Sequence, residues 1–312
     1  MIDKRRAPDF PGGWFRCLLA LPLMFGWALQ ERTIRVSASL VLVPVSVTDQ
    51  AGKAVTGLSL GDFEIRENGE TVALARMSDP GQAPLTLAML FDVSGSVRAR
   101  FELERQAAAG FLKSVLRETD QAALISLGRE PKVLQPWTTS PEQALAGLAA
   151  VEPTSQATAF YDCLAATARM LKEAGRPGDR RVLVVLSDGE DNLSYDNRFE
   201  DALREVQESD CLFYSINPSG ASVKINKVSR RGQEAMDAIA RQTGGASFVA
   251  DRVEDLGIFY ERVAAVLKDQ YVLEYYSPDS RPDGGYRRID VHIPSRPELI
   301  IRARQGYYAE FR

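Results

Sequence analysis

The chain has 312 residues, 45% of them hydrophobic and 26% charged, with a formal net charge of −4. That length carries about two domains, and the apolar content excludes a chain that is disordered throughout. A net negative protein is not built mainly to grip nucleic acid.

Residues 1–28 read as a secretory leader. Lys4, Arg5, Arg6 and Arg16 form its positive region, and Cys17–Leu29 is an apolar stretch of 13 residues. Gly26 and Ala28 are the small residues before a cut after Ala28. The stretch is short of the roughly 20 residues that span a bilayer. The expectation is an extracytoplasmic protein: periplasmic, cell-surface or secreted. An uncleaved N-terminal membrane anchor is the alternative. Cys163 and Cys211 lack metal-site spacing and read as buried free thiols.

Residues 31–80 read as β structure. Ile34, Val36, Ala38, Leu40 and Leu42 alternate, and Val41, Val43, Val45 and Val47 continue in the other phase. The change near Pro44 predicts a bulge, or a strand that passes between two partners. Asp49–Lys53 is a turn, and Asn68-Gly69 is a hairpin signal. Ser78–Pro84 has the composition of a linker.

Residues 84–268 alternate strand and helix. The first strand, Leu85–Phe91, is a nearly continuous apolar run, as in a parallel strand covered on both faces. Helices are expected over 97–117, 141–151, 161–174, 198–209, 233–243 and 254–268. Strands are expected over 122–127, 133–137, 182–186, 211–216 and 247–250. This pattern implies an α/β fold, a doubly wound and mostly parallel sheet with helices on both faces. Residues 270–312 return to β, with strands at Tyr271–Tyr276, around Ile289–Ile293 and at Leu299–Arg304. Neither β flank has enough apolar face to stand alone. Both are expected to form one small β-sandwich into which the α/β unit is inserted.

The first α/β strand ends in three oxygen side chains, Asp92, Ser94 and Ser96. In an open α/β sheet, ligands sit outside the carboxyl ends of the strands. Asp188 follows the buried strand Val182–Leu186, and Thr158 closes the loop Glu152–Thr158. Five oxygen donors from three loops therefore fall on one rim. Hard oxygen donors suit Mg2+, with Mn2+ or Ca2+ as substitutes.

DVSGS at 92–96, TAFYD at 158–162 and LSDGEDN at 186–192 resemble the three motifs of the von Willebrand factor type A domain. The resemblance covers about residues 85–268. The flanks resemble those of the secreted VWFA-related domain described mainly from Acidobacteria. The resemblance implies a metal-ion-dependent adhesion site, or MIDAS, in an exported, non-enzymatic protein-binding module. In it Ser94 and Ser96 ligate Mg2+ directly, and Asp92 and Asp188 balance the charge, often through water. Thr158 ligates directly or through water. The sixth position stays open for an Asp or Glu carboxylate of a partner protein. Membrane contact arises only through an uncleaved leader. The resemblance also implies that the last helix can shift on metal occupancy and tilt the β domain, which follows it almost without a linker.

Other polar residues have plainer readings. Glu190 and Asp191 read as solvated loop charges, Asp162 as a cap or a solvated residue of its helix, and His292 as solvated. One remote histidine argues against a Ser-His-Asp triad. Lys224, Lys227, Arg230 and Arg231 read as an exposed basic loop. Arg98 and Arg100 lie near the rim, where they could steer an acidic partner. Two alternatives remain. One is a Mg2+-dependent hydrolase, since FDVSG superficially resembles aspartyl-nucleophile phosphatases, although Ser94 stands where their second acid is needed. The other is a structural subunit whose metal only stabilises the fold.

Overall fold

Valines at every second position build the first strand. In β1 (Leu40–Thr48), Val41, Val43, Val45 and Val47 are buried on one face, as the two-residue side-chain period requires. The computed structural model describes residues 39–79, 81–154, 156–220 and 226–310, which belong to one compact unit, Ser37–Arg312. Readings that fall on residues 1–38 and on Lys224 lie outside the described residues. So does the side chain of Ser96.

β1 is handed from one partner to another. Residues Leu40–Val45 pair with β11 (Tyr271–Tyr276), and Val45–Thr48 pair with β13 (Ile300–Ala303). The register runs through Pro44 without a shift, so passage between partners holds and the expected bulge does not occur. β2 (Glu64–Glu67) and β3 (Glu70–Val72) form the expected hairpin. Its turn places Asn68 at φ 51° and Gly69 at φ 90°, the left-handed pair that a two-residue hairpin needs. β4 (Leu74–Ser78) then leaves for the other sheet.

The C-terminal flank adds β11, β12 (Tyr286–His292), β13 and β14 (Gly306–Tyr308). One sheet has the order β13-β1-β11-β4 and a second the order β14-β12-β2-β3. Each sheet mixes N- and C-terminal strands, and one apolar core lies between them. The last strand is β14 rather than Leu299–Arg304. His292 is exposed on β12.

Between these halves runs the α/β unit. β5 (Leu85–Asp92) is buried along its whole length. After it come α1 (Phe101–Val115), β6 (Gln121–Leu127), β7 (Lys132–Thr138), α2 (Pro141–Ala149), α3 (Phe160–Ala174) and β8 (Arg180–Leu186). Then follow α4 (Phe199–Glu208), β9 (Cys211–Asn217), α5 (Lys227–Thr243), β10 (Ala246–Val249) and α6 (Leu256–Lys268). The sheet order is β10-β9-β8-β5-β6-β7. All pairs are parallel except the edge hairpin β6–β7. Alternation along β5 feeds two cores. Leu85, Leu87, Met89 and Phe91 pack with α1, α2 and α6. Ala88 and Leu90 pack with α3, α4 and α5. Cys163 and Cys211 are free and buried, as expected. Among the described residues no helix is long and apolar enough to cross a membrane.

α5 begins at Lys227, earlier than expected, with Asn226 as its N-cap. Lys227, Arg230 and Arg231 therefore belong to a helix rather than to a basic loop. Gly244 closes that helix at φ 83°, as a C-terminal glycine does.

Candidate metal centre

The chain leaves β5 toward β6 on one side and returns to β8 on the other. The carboxyl ends of β5 and β8 therefore flank the crevice where such sheets bind ligands. The two strands are neighbours in register, Phe91 opposite Leu186. Asp92 and the Ser187-Asp188 turn thus emerge side by side.

Asp92 is 1% exposed. Its Oδ1 accepts from the Ser94 amide at 2.8 Å, and its Oδ2 accepts from Ser187 Oγ at 2.8 Å. Ser187 Oγ in turn accepts from the Gly189 amide at 3.1 Å. Asp188 accepts from the Glu190 amide at 3.1 Å and from Ser219 Oγ at 3.5 Å. Gly189 has φ 72°, and a Cβ on Gly232 of α5 would stand 2.5 Å from the Gly189 carbonyl oxygen. Two glycines thus let α5 close on the turn.

The third loop is sewn to the other two. The Thr154 amide and hydroxyl donate to the Val93 carbonyl at 2.6 and 3.0 Å. The amides of Asn192 and Leu193 donate to the Thr158 carbonyl at 2.9 and 3.0 Å. Ser94 and Thr158 are buried. Ser96 lies in the 3-10 turn Gly95–Val97. The structure thus brings together the three loops that carry Asp92, Ser94, Ser96, Thr158 and Asp188.

A third carboxylate belongs to this neighbourhood. Glu104, on the apolar stripe of α1, is 0% exposed. Its Oε1 meets Arg100 Nε at 2.5 Å, and its Oε2 has no hydrogen-bond partner among the described residues. Burial pushes Asp188 up to about 6, and the Asp92 charge adds to the effect. Burial likewise raises Glu104 to about 7 against the pull of Arg100, with Asp92 and Asp188 pushing the same way. Asp92 is raised by burial too, opposed by its hydrogen bonds. Desolvation and like charge both disfavour the ionised forms.

These residues fit a divalent cation. Asp92, Asp188 and Glu104 stand close enough for their charges to act on one another, Glu190 adds to this at Asp188, and Arg100 opposes them. A bound cation would relieve this crowding of like charge. No group of three or more His, Cys, Asp or Glu side chains is placed to hold a metal among the described residues. A metal held here would also need the serine and threonine hydroxyls of these loops. Hydroxyl and carboxylate oxygens are hard donors, suited to Mg2+.

Several polar residues hold the loops, where the sequence suggested solvated charges. Glu190 accepts from Ser229 Oγ and from Asn226 Nδ2, at the start of α5. Asp191 accepts from the Phe160 amide at 2.9 Å, and so caps α3 from another loop. Asp162 does not cap its own helix. Its carboxylate accepts from the amides of Tyr195, Asp196 and Asn197 and from the Asn197 side chain. Arg100 is held by Glu104 rather than projecting to steer a partner. Ser187 and Glu104 were missed. The serine of the S-D-G turn and an acid on a buried helical stripe were the signals for them.

Residues 87–190 match the von Willebrand factor type A domain model. The chain carries a von Willebrand factor type A domain. The match spans all three motif loops and stops short of both β flanks. Among solved structures, the type A fold is shared with proximal thread matrix protein 1 from the mussel byssus, in a form with a zinc-occupied MIDAS motif. That likeness has TM-score 0.51 and 17% identity, over 64% of this chain and 49% of that one. A second crystal form of the byssus protein matches with TM-score 0.50 and 13% identity, over 61% and 49%. BatB from Bacteroides thetaiotaomicron matches with TM-score 0.46 and 18% identity, over 59% and 99%. The chain spans about half the length of the byssus protein. It spans 62% of the PilB minor pilin from Streptococcus sanguinis, matched with TM-score 0.49 and 14% identity over 61% of this chain. No curated protein matches the chain.

Proposed function

We propose that this chain is an exported, metal-ion-dependent protein-binding module that serves adhesion or scaffolding rather than catalysis. Residues 1–28 are its leader or anchor, 84–268 its type A domain, and 31–80 and 270–312 the halves of its β domain. Asp92, Ser94, Ser96, Thr158 and Asp188 hold Mg2+, for which Mn2+ or Ca2+ can substitute. The bound ion supplies an open coordination position for an Asp or Glu carboxylate of a partner protein.

The observation that carries this proposal is the pair of carboxylates on neighbouring strand ends, buried Asp92 and half-buried Asp188. Burial holds both above the usual carboxylate range, Asp188 at about 6 with the Asp92 charge adding to the effect. Both oxygens of Asp92 already accept hydrogen bonds, which suits a ligand that acts through water and by charge. The serine and threonine hydroxyls are neutral donors, so a direct carboxylate remains for the partner to add. A byssus matrix protein of the same fold, whose MIDAS motif is occupied by zinc, supports a divalent ion in this role.

Calorimetric titration with Mg2+ tests the proposal. The wild-type chain should bind the ion, and Asp92→Ala should stay folded and bind it about a hundredfold more weakly or worse. A partner captured from the extracytoplasmic fraction should be released by EDTA and should not be retained by Asp92→Ala. A wild type that binds no divalent ion overturns the proposal. An Asp92→Ala chain that unfolds supports a purely stabilising metal instead.

A further inference from the structure

Arg100 stands in the turn before α1 and reaches two elements of the site. Its Nε donates to Glu104 Oε1 at 2.5 Å, and its guanidinium donates to Ser219 Oγ at 3.4 Å. Ser219 Oγ donates on to Asp188 at 3.5 Å. Arg100 forms no direct ion pair with Asp92 or Asp188, yet its charge acts on both. Glu104 is the anchor, since its carboxylate is fully buried and accepts from the guanidinium through Oε1.

We propose that Arg100 is an internal counter-cation of the site, stabilising the carboxylate cluster before a divalent ion binds and lowering the affinity for that ion. This rests on the metal-site proposal above. An arginine suits the role because it stays charged at any physiological pH. Held back on Glu104, it neutralises the aspartates without taking a ligand oxygen from the ion. Without Arg100 the carboxylate cluster loses one positive charge, so it attracts a dication more strongly and destabilises the ion-free chain more. The affinity is thus set below the maximum that the ligands alone could reach.

The test uses the full chain, with Mg2+ as the probe. Mg2+ affinity is measured by calorimetry, and thermal unfolding is followed in EDTA and in excess Mg2+. Arg100→Met should bind Mg2+ about tenfold more tightly or better. It should melt lower than wild type in EDTA and gain more from Mg2+. Arg100→Lys, which keeps the charge, should stay near the wild-type affinity. Glu104→Gln should bind Mg2+ more weakly, because it removes a nearby negative charge and frees the guanidinium to approach the aspartates. An Arg100→Met chain with unchanged or weaker affinity overturns the proposal, as would equal melting losses in EDTA and Mg2+. If Arg100→Met does not fold, an unchanged affinity in Glu104→Gln overturns it. A wild type that binds no divalent ion overturns the metal site itself and this proposal with it. Binding by wild type that Arg100→Met leaves unaltered overturns this proposal alone.

Discussion

Two of the places where the described residues bury carboxylates do so differently. In the sandwich, Glu67 is 2% exposed. It is met by three hydroxyls: Tyr275 at 2.6 Å, Ser277 at 2.7 Å and Tyr307 at 3.1 Å. At the rim of the α/β sheet, Asp92 and Asp188 also accept hydrogen bonds, but they crowd with a third acid, Glu104, whose Oε2 has no hydrogen-bond partner among the described residues. Buried charge is therefore not in itself a mark of function. The sandwich satisfies one isolated acid, whereas the rim sets several acids against one another, which a cation would relieve. A satisfied buried acid holds structure, and a crowded cluster of acids in a crevice marks a site.

The largest effect expected from this contrast is on stability. Glu67→Ala leaves the Tyr275 and Tyr307 hydroxyls without their acceptor and opens a cavity, at a cost of about 3 kcal/mol or more. Urea unfolding should show the loss, and Mg2+ affinity should stay at the wild-type value. The reverse pattern is expected from Ser187→Ala, which removes the hydroxyl that orients Asp92. Its Mg2+ affinity should fall about tenfold to a hundredfold, with little change in urea. Equal effects of both variants on both measurements would erase the distinction. Tyr275→Phe should cost less than Glu67→Ala, about 1 kcal/mol, because Tyr307 still donates to the same Glu67 oxygen.

The smallest effect is a slope with pH. Glu104 has a folded pKa of about 7, above its ordinary 4.5. Such a group binds its proton more tightly in the folded chain. The stability it gives is complete below pH 4.5 and is lost as pH rises through 7. In EDTA, wild type should gain stability relative to Glu104→Gln as pH is lowered through this window. Parallel curves for the two proteins would show that Glu104 is already neutralised by its surroundings.

Much of this was legible in the sequence. The apolar run Leu85–Phe91 and the oxygens after it needed only periodicity and donor chemistry. The turn at Asn68-Gly69 announced itself because few residues accept its backbone angles. The division of each sheet between the two flanks followed from apolar faces too small to stand alone. What was hidden is contact across loops. Asp162 and Asp191 look solvated in sequence because their partners, the amides of residues 195–197 and 160, lie 31 or more residues away. The start of α5 was hidden by its charged first turns, which carry no apolar signal until Ala235 and Met236.

The insertion of one unit within the other has a consequence in time. Leu40 pairs with Tyr276, Thr48 with Ile300 and Met77 with Leu273, so a chain made from its N-terminus presents β1, β4 and one edge of the β2–β3 hairpin long before their C-terminal partners exist. Those strands carry open edges, which invite pairing with other chains. The α/β unit contains local strand-helix contacts and can form in the interval. Its completion then brings the two flanks close, shortening the loop that the sandwich must close. The sensitive period in the life of this protein is therefore the wait between the two halves of its sandwich. A chaperone that shields β edges should raise its folding yield more than one that shields helices.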